Sequence, residues 1–324
     1  MKKKWRIGLV LRKMLVYIVV AFLVWFAIHH VLSFYEKKKY PPLGQLVEVN
    51  GKEMHVFVKG SGDHTILLWS GLGTPAPVLD FEPLINELAM NHRVVVVENF
   101  GYGWSDLTDK KRTVENIVEE TIAALTKSGI EGPYILMPHS ISGIYSMYFV
   151  NEYPNEVEAV IGIDTTLPKA TGYFDEVVPT MPSLFRFVAP SGIARLMVAF
   201  NPENVLPIAE DGTYSKGNIG MTKAITAWKG YNKNIIGEAN EITNNIAKTD
   251  KMKFPPKLPT LFFTRQEVKE TEDGRTNVTF YETQLSETPF SKIITFEGHH
   301  YLHWTRFNEM GKYVNQFIKS IDNK

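Results

Sequence analysis

Apolar residues fall along this chain in three kinds of run. The first is one unbroken stretch, residues 14–34, with no Asp, Glu, Lys or Arg in 21 positions. At 1.5 Å per residue, a helix of that length matches a hydrocarbon core of about 30 Å. It has no polar face, as a helix on a globular core would. A membrane-spanning helix is therefore predicted, with Trp25 and Tyr35 near the interfaces and His29 and His30 toward the outer end. The second kind is short. Residues 46–49 and 54–58 alternate apolar and polar around Asn50-Gly51, the pattern of a hairpin. Residues 66–69, 94–97, 134–137, 157–163, 260–263 and 293–296 are predicted strands, the continuous runs among them buried on both faces. The third kind has helical spacing, over residues 81–90, 114–125 behind Thr113, 144–153 and 313–318.

Strands and helices alternate through residues 45–167 and again through 254–324. This predicts a mostly parallel central sheet with helices on both faces. Between the two blocks, residues 168–253 are rich in Met, Asn and Pro and read as an inserted helical lid. Residues 1–35 form the N-terminus and anchor, and 36–44, with Pro41 and Pro42, a tether. Lys2, Lys3, Lys4, Arg6, Arg12 and Lys13 precede the apolar run, against Lys37, Lys38 and Lys39 after it. That asymmetry places the N-terminus in the cytoplasm and the remaining chain outside the cell membrane, on a single pass. A cleaved signal peptide begins similarly, but this run is longer than a usual signal core and no small-x-small site follows it. The expectation is an uncleaved signal-anchor.

Composition narrows the partners. Across 324 residues, 44% are hydrophobic and 35 basic side chains balance 35 acidic ones. Disorder is excluded, and no basic excess exists to neutralise phosphates, so no nucleic-acid partner is expected. There is no cysteine, which removes disulfides, thiol catalysis and cysteine metal sites. Oligomeric state is not legible.

Candidate chemistry begins at residues 134–143, Tyr-Ile-Leu-Met-Pro-His-Ser-Ile-Ser-Gly. An apolar strand runs into a short turn bearing Ser140, and a helical pattern follows at once. A serine there is held above the sheet edge, beside the free N–H groups and positive potential of a helix start. The segment resembles the nucleophile elbow G-x-S-x-G of the α/β-hydrolase family. Pro138 replaces its first glycine and Ser142 its second, with Gly143 following. Ser70-Gly71-Leu72-Gly73 stands where that family has an oxyanion loop. The segment beginning Glu98-Asn99-Phe100-Gly101 resembles its D-x-x-G-x-G-x-S loop, read as structural. Near the C-terminus, Gly298-His299-His300-Tyr301-Leu302-His303 is similar to its G-H-x-x-H segment.

By this resemblance Ser140 is the nucleophile and His300 the base, with His299 as the alternative base. The backbone N–H groups of Leu72 and Ile141 form the oxyanion hole. Gly71, Gly73 and His139 border the substrate, and His303 packs. The acid is Asp164, at the end of a core strand, with Glu267 as the alternative, since Val268 occupies the usual acidic position. The chain order Ser, Asp, His matches the family. A serine elbow argues against the epoxide-hydrolase and dehalogenase branches, which use Asp there. Clustered histidines raise the question of a metal, but H-E-x-x-H is absent and none is expected. The implied activity is cleavage of a small-molecule or lipid-like acyl substrate, most simply an ester, without a cofactor. Met181, Phe185, Phe187, Met197, Phe200, Met221 and Trp228 are candidates to line an apolar pocket under the lid. A proline-type aminopeptidase and a non-catalytic pseudo-hydrolase that binds a ligand or partner are the alternatives on this scaffold.

Overall fold

The computed structural model describes residues 2–178, 180–266 and 274–323. Its strands are β1 (Gln45–Val49), β2 (Lys52–Lys59), β3 (Thr65–Trp69), β4 (Arg93–Val97), β5 (Tyr134–Pro138), β6 (Val157–Ile163), β7 (Thr260–Arg265) and β8 (Lys292–Phe296). They form one sheet in the order β1-β2-β4-β3-β5-β6-β7-β8. Pairing is antiparallel at β1–β2 and β2–β4 and parallel from β4 to β8. In the β1–β2 hairpin Asn50 has φ 54° and Gly51 φ 74°, the two positive values a type I′ turn requires.

The helices are α1 (Lys2–Lys39), α2 (Pro77–Asp80), α3 (Glu82–Leu88), α4 (Val114–Lys127), α5 (Ser142–Glu152), α6 (Ala170–Tyr173), α7 (Ile193–Phe200), α8 (Lys216–Lys229), α9 (Lys233–Thr249), α10 (Asn277–Glu282) and α11 (Phe307–Asp322). Two apolar layers sandwich the sheet. Along β3, Leu67 and Trp69 point into one layer with Ile117 of α4 and Ile144 of α5. Ile66 and Leu68 point into the other, with Leu84 of α3 and Phe317 of α11. A strand covered on both faces has no polar alternation to show, which is why these runs are continuously apolar. Helix α4 opens as its sequence suggests, with the Thr113 side chain accepting from Asn116 N.

Helices α6 to α9 all lie between β6 and β7, and no strand occurs there among the described residues. Helix α1 is long and apolar enough to cross a membrane. It continues through Lys39, so the tether expected from residue 36 shortens to residues 40–44. Glu36 is fixed by Arg195 of α7, and the first helix breaker is Pro41.

Candidate active site

The loops that leave the C-terminal ends of β3, β5, β6, β7 and β8 converge, as expected at the ligand-binding edge of a parallel sheet. After β5 the chain turns sharply. Ser140 has φ 54°, a left-handed conformation that costs a non-glycine residue about 1–3 kcal/mol. Pro138 removes one ladder donor without ending the pairing, because His139 N still donates to Trp69 O at 2.8 Å. The strained turn is held from the neighbouring loop: Ser140 O accepts from Thr166 N at 2.8 Å and Thr165 Oγ1 at 3.0 Å. Close approach explains the small residues. A Cβ on Gly143 would lie 2.3 Å from Thr165 Oγ1, and one on Gly71 would lie 2.9 Å from Ser140 Cβ. Ser142, at the second glycine position of the motif, donates a short hydrogen bond to Ser70 O and so ties the elbow to the loop after β3.

Asp164, one residue beyond β6, is also left-handed, at φ 39°, and is buried. Its Oδ2 is 2.6 Å from His300 Nδ1 and 2.8 Å from Arg265 Nε, and its Oδ1 accepts from Thr264 Oγ1 at 3.0 Å. Burial pushes its pKa up, but the His300 hydrogen bond and the positive charge of Arg265 outweigh that and hold the carboxyl below its usual value. A carboxylate can only accept, so His300 Nδ1 carries the proton in this contact. The Ser140 hydroxyl makes no hydrogen bond to His300 among the described residues. Leu72 N–H and Ile141 N–H likewise have no acceptor there.

His299 takes no part in this arrangement. Its ring stacks on Trp304 at 5.6 Å between centroids and lies at the surface. His139 is buried rather than facing a ligand: its ring packs 4.8 Å from those of His300 and Tyr301. Its Nε2 donates to the His300 carbonyl at 3.2 Å, which fixes the tautomer, and burial with its histidine neighbours pushes its pKa well down. His139 thus buttresses the His300 loop as a neutral ring. Glu267 lies outside the described residues. Glu98 sits at 0% exposure and binds His55 Nδ1 at 3.0 Å and Trp104 N at 2.8 Å, and Gly103 leaves room for its carboxylate.

A cavity of about 270 Å³ adjoins the loop after β3 and includes Leu72, Gly73, Thr74, Met181, Met197 and Tyr301 in its wall. A second, of about 340 Å³, is bordered by Asp164, His300 and Arg265. Of the seven apolar residues expected under the insertion, Met181 and Met197 line the first cavity. Phe185, Phe187 and Phe200 are exposed, while Met221 and Trp228 pack on Ala76 and Leu79 beside α2. Sequence reading missed Asp80, whose carboxylate accepts from His303 Nε2 at 2.7 Å and Trp304 Nε1 at 2.9 Å beneath the cavity. The available signal was an acidic residue set between the apolar residues 76–79 and Phe81.

Sheet order, crossovers and the turn at Ser140 together define an α/β-hydrolase fold. Epoxide hydrolase VrEH1 of Vigna radiata superposes with a TM-score of 0.64 at 18% identity, covering 85% of this chain and 97% of that one. In sequence the chain is 28% identical over 284 residues to the uncharacterized protein YbdG of Bacillus subtilis, 86% of each. It is also 28% identical over 124 residues to 2-(acetamidomethylene)succinate hydrolase of Mesorhizobium japonicum, 38% of this chain and 43% of that protein. No family model matches the chain.

Proposed function

We propose that the protein is a serine hydrolase that cleaves an ester or related acyl bond through Ser140, His300 and Asp164. The observation that carries this reading is the 2.6 Å contact between Asp164 and His300 next to a left-handed serine on the strand–helix turn. His300 Nε2 takes the proton of Ser140 as Oγ bonds to the substrate carbonyl carbon, and Asp164 holds the imidazolium. Leu72 N–H and Ile141 N–H receive the oxyanion. As the C–O bond breaks, His300 returns the proton to the departing alcohol. Water then repeats the sequence on the acyl-serine and frees the acid. The fold likeness to an epoxide hydrolase is at 18% identity and reaches the fold alone. The hydrolase relative, similar over 124 residues, supports hydrolysis in general. The helical insertion acts as the lid, and α1 anchors the enzyme with its N-terminus inside.

The test is full-length protein in detergent with a fluorophosphonate probe and a short-chain activated ester. Wild type is labelled and turns over, and Ser140→Ala loses the label and about 10³-fold or more of kcat. Folded wild type that resists the probe, or Ser140→Ala that keeps it, refutes the proposal.

A further inference from the structure

Apolar side chains crowd the outside of the insertion. Along α7, Ile193, Met197 and Phe200 recur at i, i+4 and i+7 and all are exposed, Phe200 at 76%. In the 3-10 turn Ser183–Phe187 just before it, Leu184 at 73% and Phe187 at 51% are exposed as well. Single exposed apolar residues are ordinary, but such a concentration marks an interaction surface.

The contacts of α7 with α1 identify the partner. Arg195 forms a bidentate pair with Glu36, 2.6 Å at each contact, and donates to Ser33 Oγ at 3.0 Å and His29 Nδ1 at 3.2 Å. Trp228 Nε1 of α8 also donates to Glu36, at 2.9 Å. Gly192, at the start of α7, lies so close that a Cβ would be 2.8 Å from Trp25 Nε1. These contacts extend from Glu36 back to Trp25, about 16 Å along the α1 axis. Residues 25–34 belong to the uncharged apolar stretch. A helix fixed against that stretch cannot stand clear of a bilayer that α1 crosses.

We propose that residues 184–200 are a second membrane contact, seated in the interfacial layer of the lipid bilayer on the domain's side. The proposal rests on reading α1 as a membrane span, and not on the catalytic roles above. Arg186, over the Phe187 ring, and Lys37, Lys38 and Lys39 at the end of α1 supply the cations that headgroup phosphates attract. Met197, exposed on this face, is also part of the wall of the 270 Å³ cavity, so this membrane contact would bring the lipid acyl region next to that wall.

The chain lacks cysteine, so single-cysteine variants report position cleanly. Full-length Val19→Cys, Leu184→Cys, Phe200→Cys and Met90→Cys are labelled with an environment-sensitive NBD dye. They are then reconstituted into phosphatidylcholine–phosphatidylglycerol vesicles with or without nitroxide lipids. Val19 lies in the apolar stretch of α1, and Met90 is exposed near the opposite edge of the sheet, before β4. The expected result is blue-shifted emission at 184 and 200, quenched best by nitroxides high on the acyl chain, with 19 quenched by deep nitroxides and 90 by neither. If 19 is quenched while 184 and 200 behave like 90, the second contact is overturned and the anchor stands. If 19 stays aqueous, the anchor reading fails and the proposal with it.

Discussion

His300 Nδ1 and Asp164 Oδ2 lie 2.6 Å apart across 136 positions of sequence. Thr264 and Arg265, at the end of β7, complete the shell around that carboxylate. The aspartate is therefore oriented by two strands at once, and the imidazole by the aspartate. An arrangement held this way is sensitive to small chemical changes, which makes it testable.

Asp164→Asn keeps the shape and removes the charge. Turnover should fall about 10²–10⁴-fold, whereas Glu267→Gln should leave it near wild type, as measured by ester hydrolysis at saturating substrate. Stability carries a matching signature. Because the folded carboxyl is held below its ordinary value near 3.9, its contribution is complete above about pH 4 and is lost as pH falls through the folded value. In denaturant melts from pH 6 to 3, the gap between wild type and Asp164→Asn should close on acidification.

Gly71→Ala places a methyl group 2.9 Å from Ser140 Cβ and 3.0 Å from His139 Nδ1. Both neighbours are fixed, so the loop after β3 must move and carry Leu72 N–H with it. The expected loss is about 10²–10³-fold in kcat, the cost of displacing one oxyanion donor. KM should change far less.

Asp80→Ala leaves His303 Nε2 and Trp304 Nε1 buried without acceptors. A cost of about 1–3 kcal/mol per stranded group is expected in chemical denaturation. Asp80→Asn retains one acceptor oxygen and should cost less. Equal losses from the two substitutions would show that packing, not hydrogen bonding, sets the effect.

Lys229 reaches inward from α8 to donate to Ser105 O, and burial together with Lys37 pushes its pKa down to about 8. In the unfolded chain a lysine titrates near 10.4, so between about pH 8 and 10.4 the unfolded state binds more protons. Stability from this group therefore rises with pH across that window. Lys229→Met should raise the melting temperature more at pH 7 than at pH 10. An unchanged difference between the two pH values would contradict the shift.

Much of the fold was legible because short-range physics wrote it. The β3 run of Thr65–Trp69 is apolar at nearly every position because both faces are covered, and Asn50-Gly51 reads as a turn because its backbone needs two positive φ values. The serine turn was legible for the same reason. Other features resisted. His299 and His300 are adjacent and alike, and only the facing carboxylate separates them: one meets Asp164, the other stacks on Trp304. The insertion's apolar residues were visible, but not which way they point. Met197 is exposed and also borders a cavity, while Phe200, three positions on, is exposed and is not in that cavity's wall. His139 looked like part of the ligand site and turned out to be a buried prop.

By itself the sequence determined the alternation of strands and helices, the uncharged apolar helix at the start and the serine between strand and helix, since each is recorded in the spacing of near neighbours. Tertiary structure alone decided which imidazole meets the carboxylate, that Asp80 braces His303 and Trp304, and that Arg195 locks the insertion onto the first helix. Those pairings join segments more than a hundred residues apart, and their distances depend on how the whole sheet stacks, which no local pattern encodes.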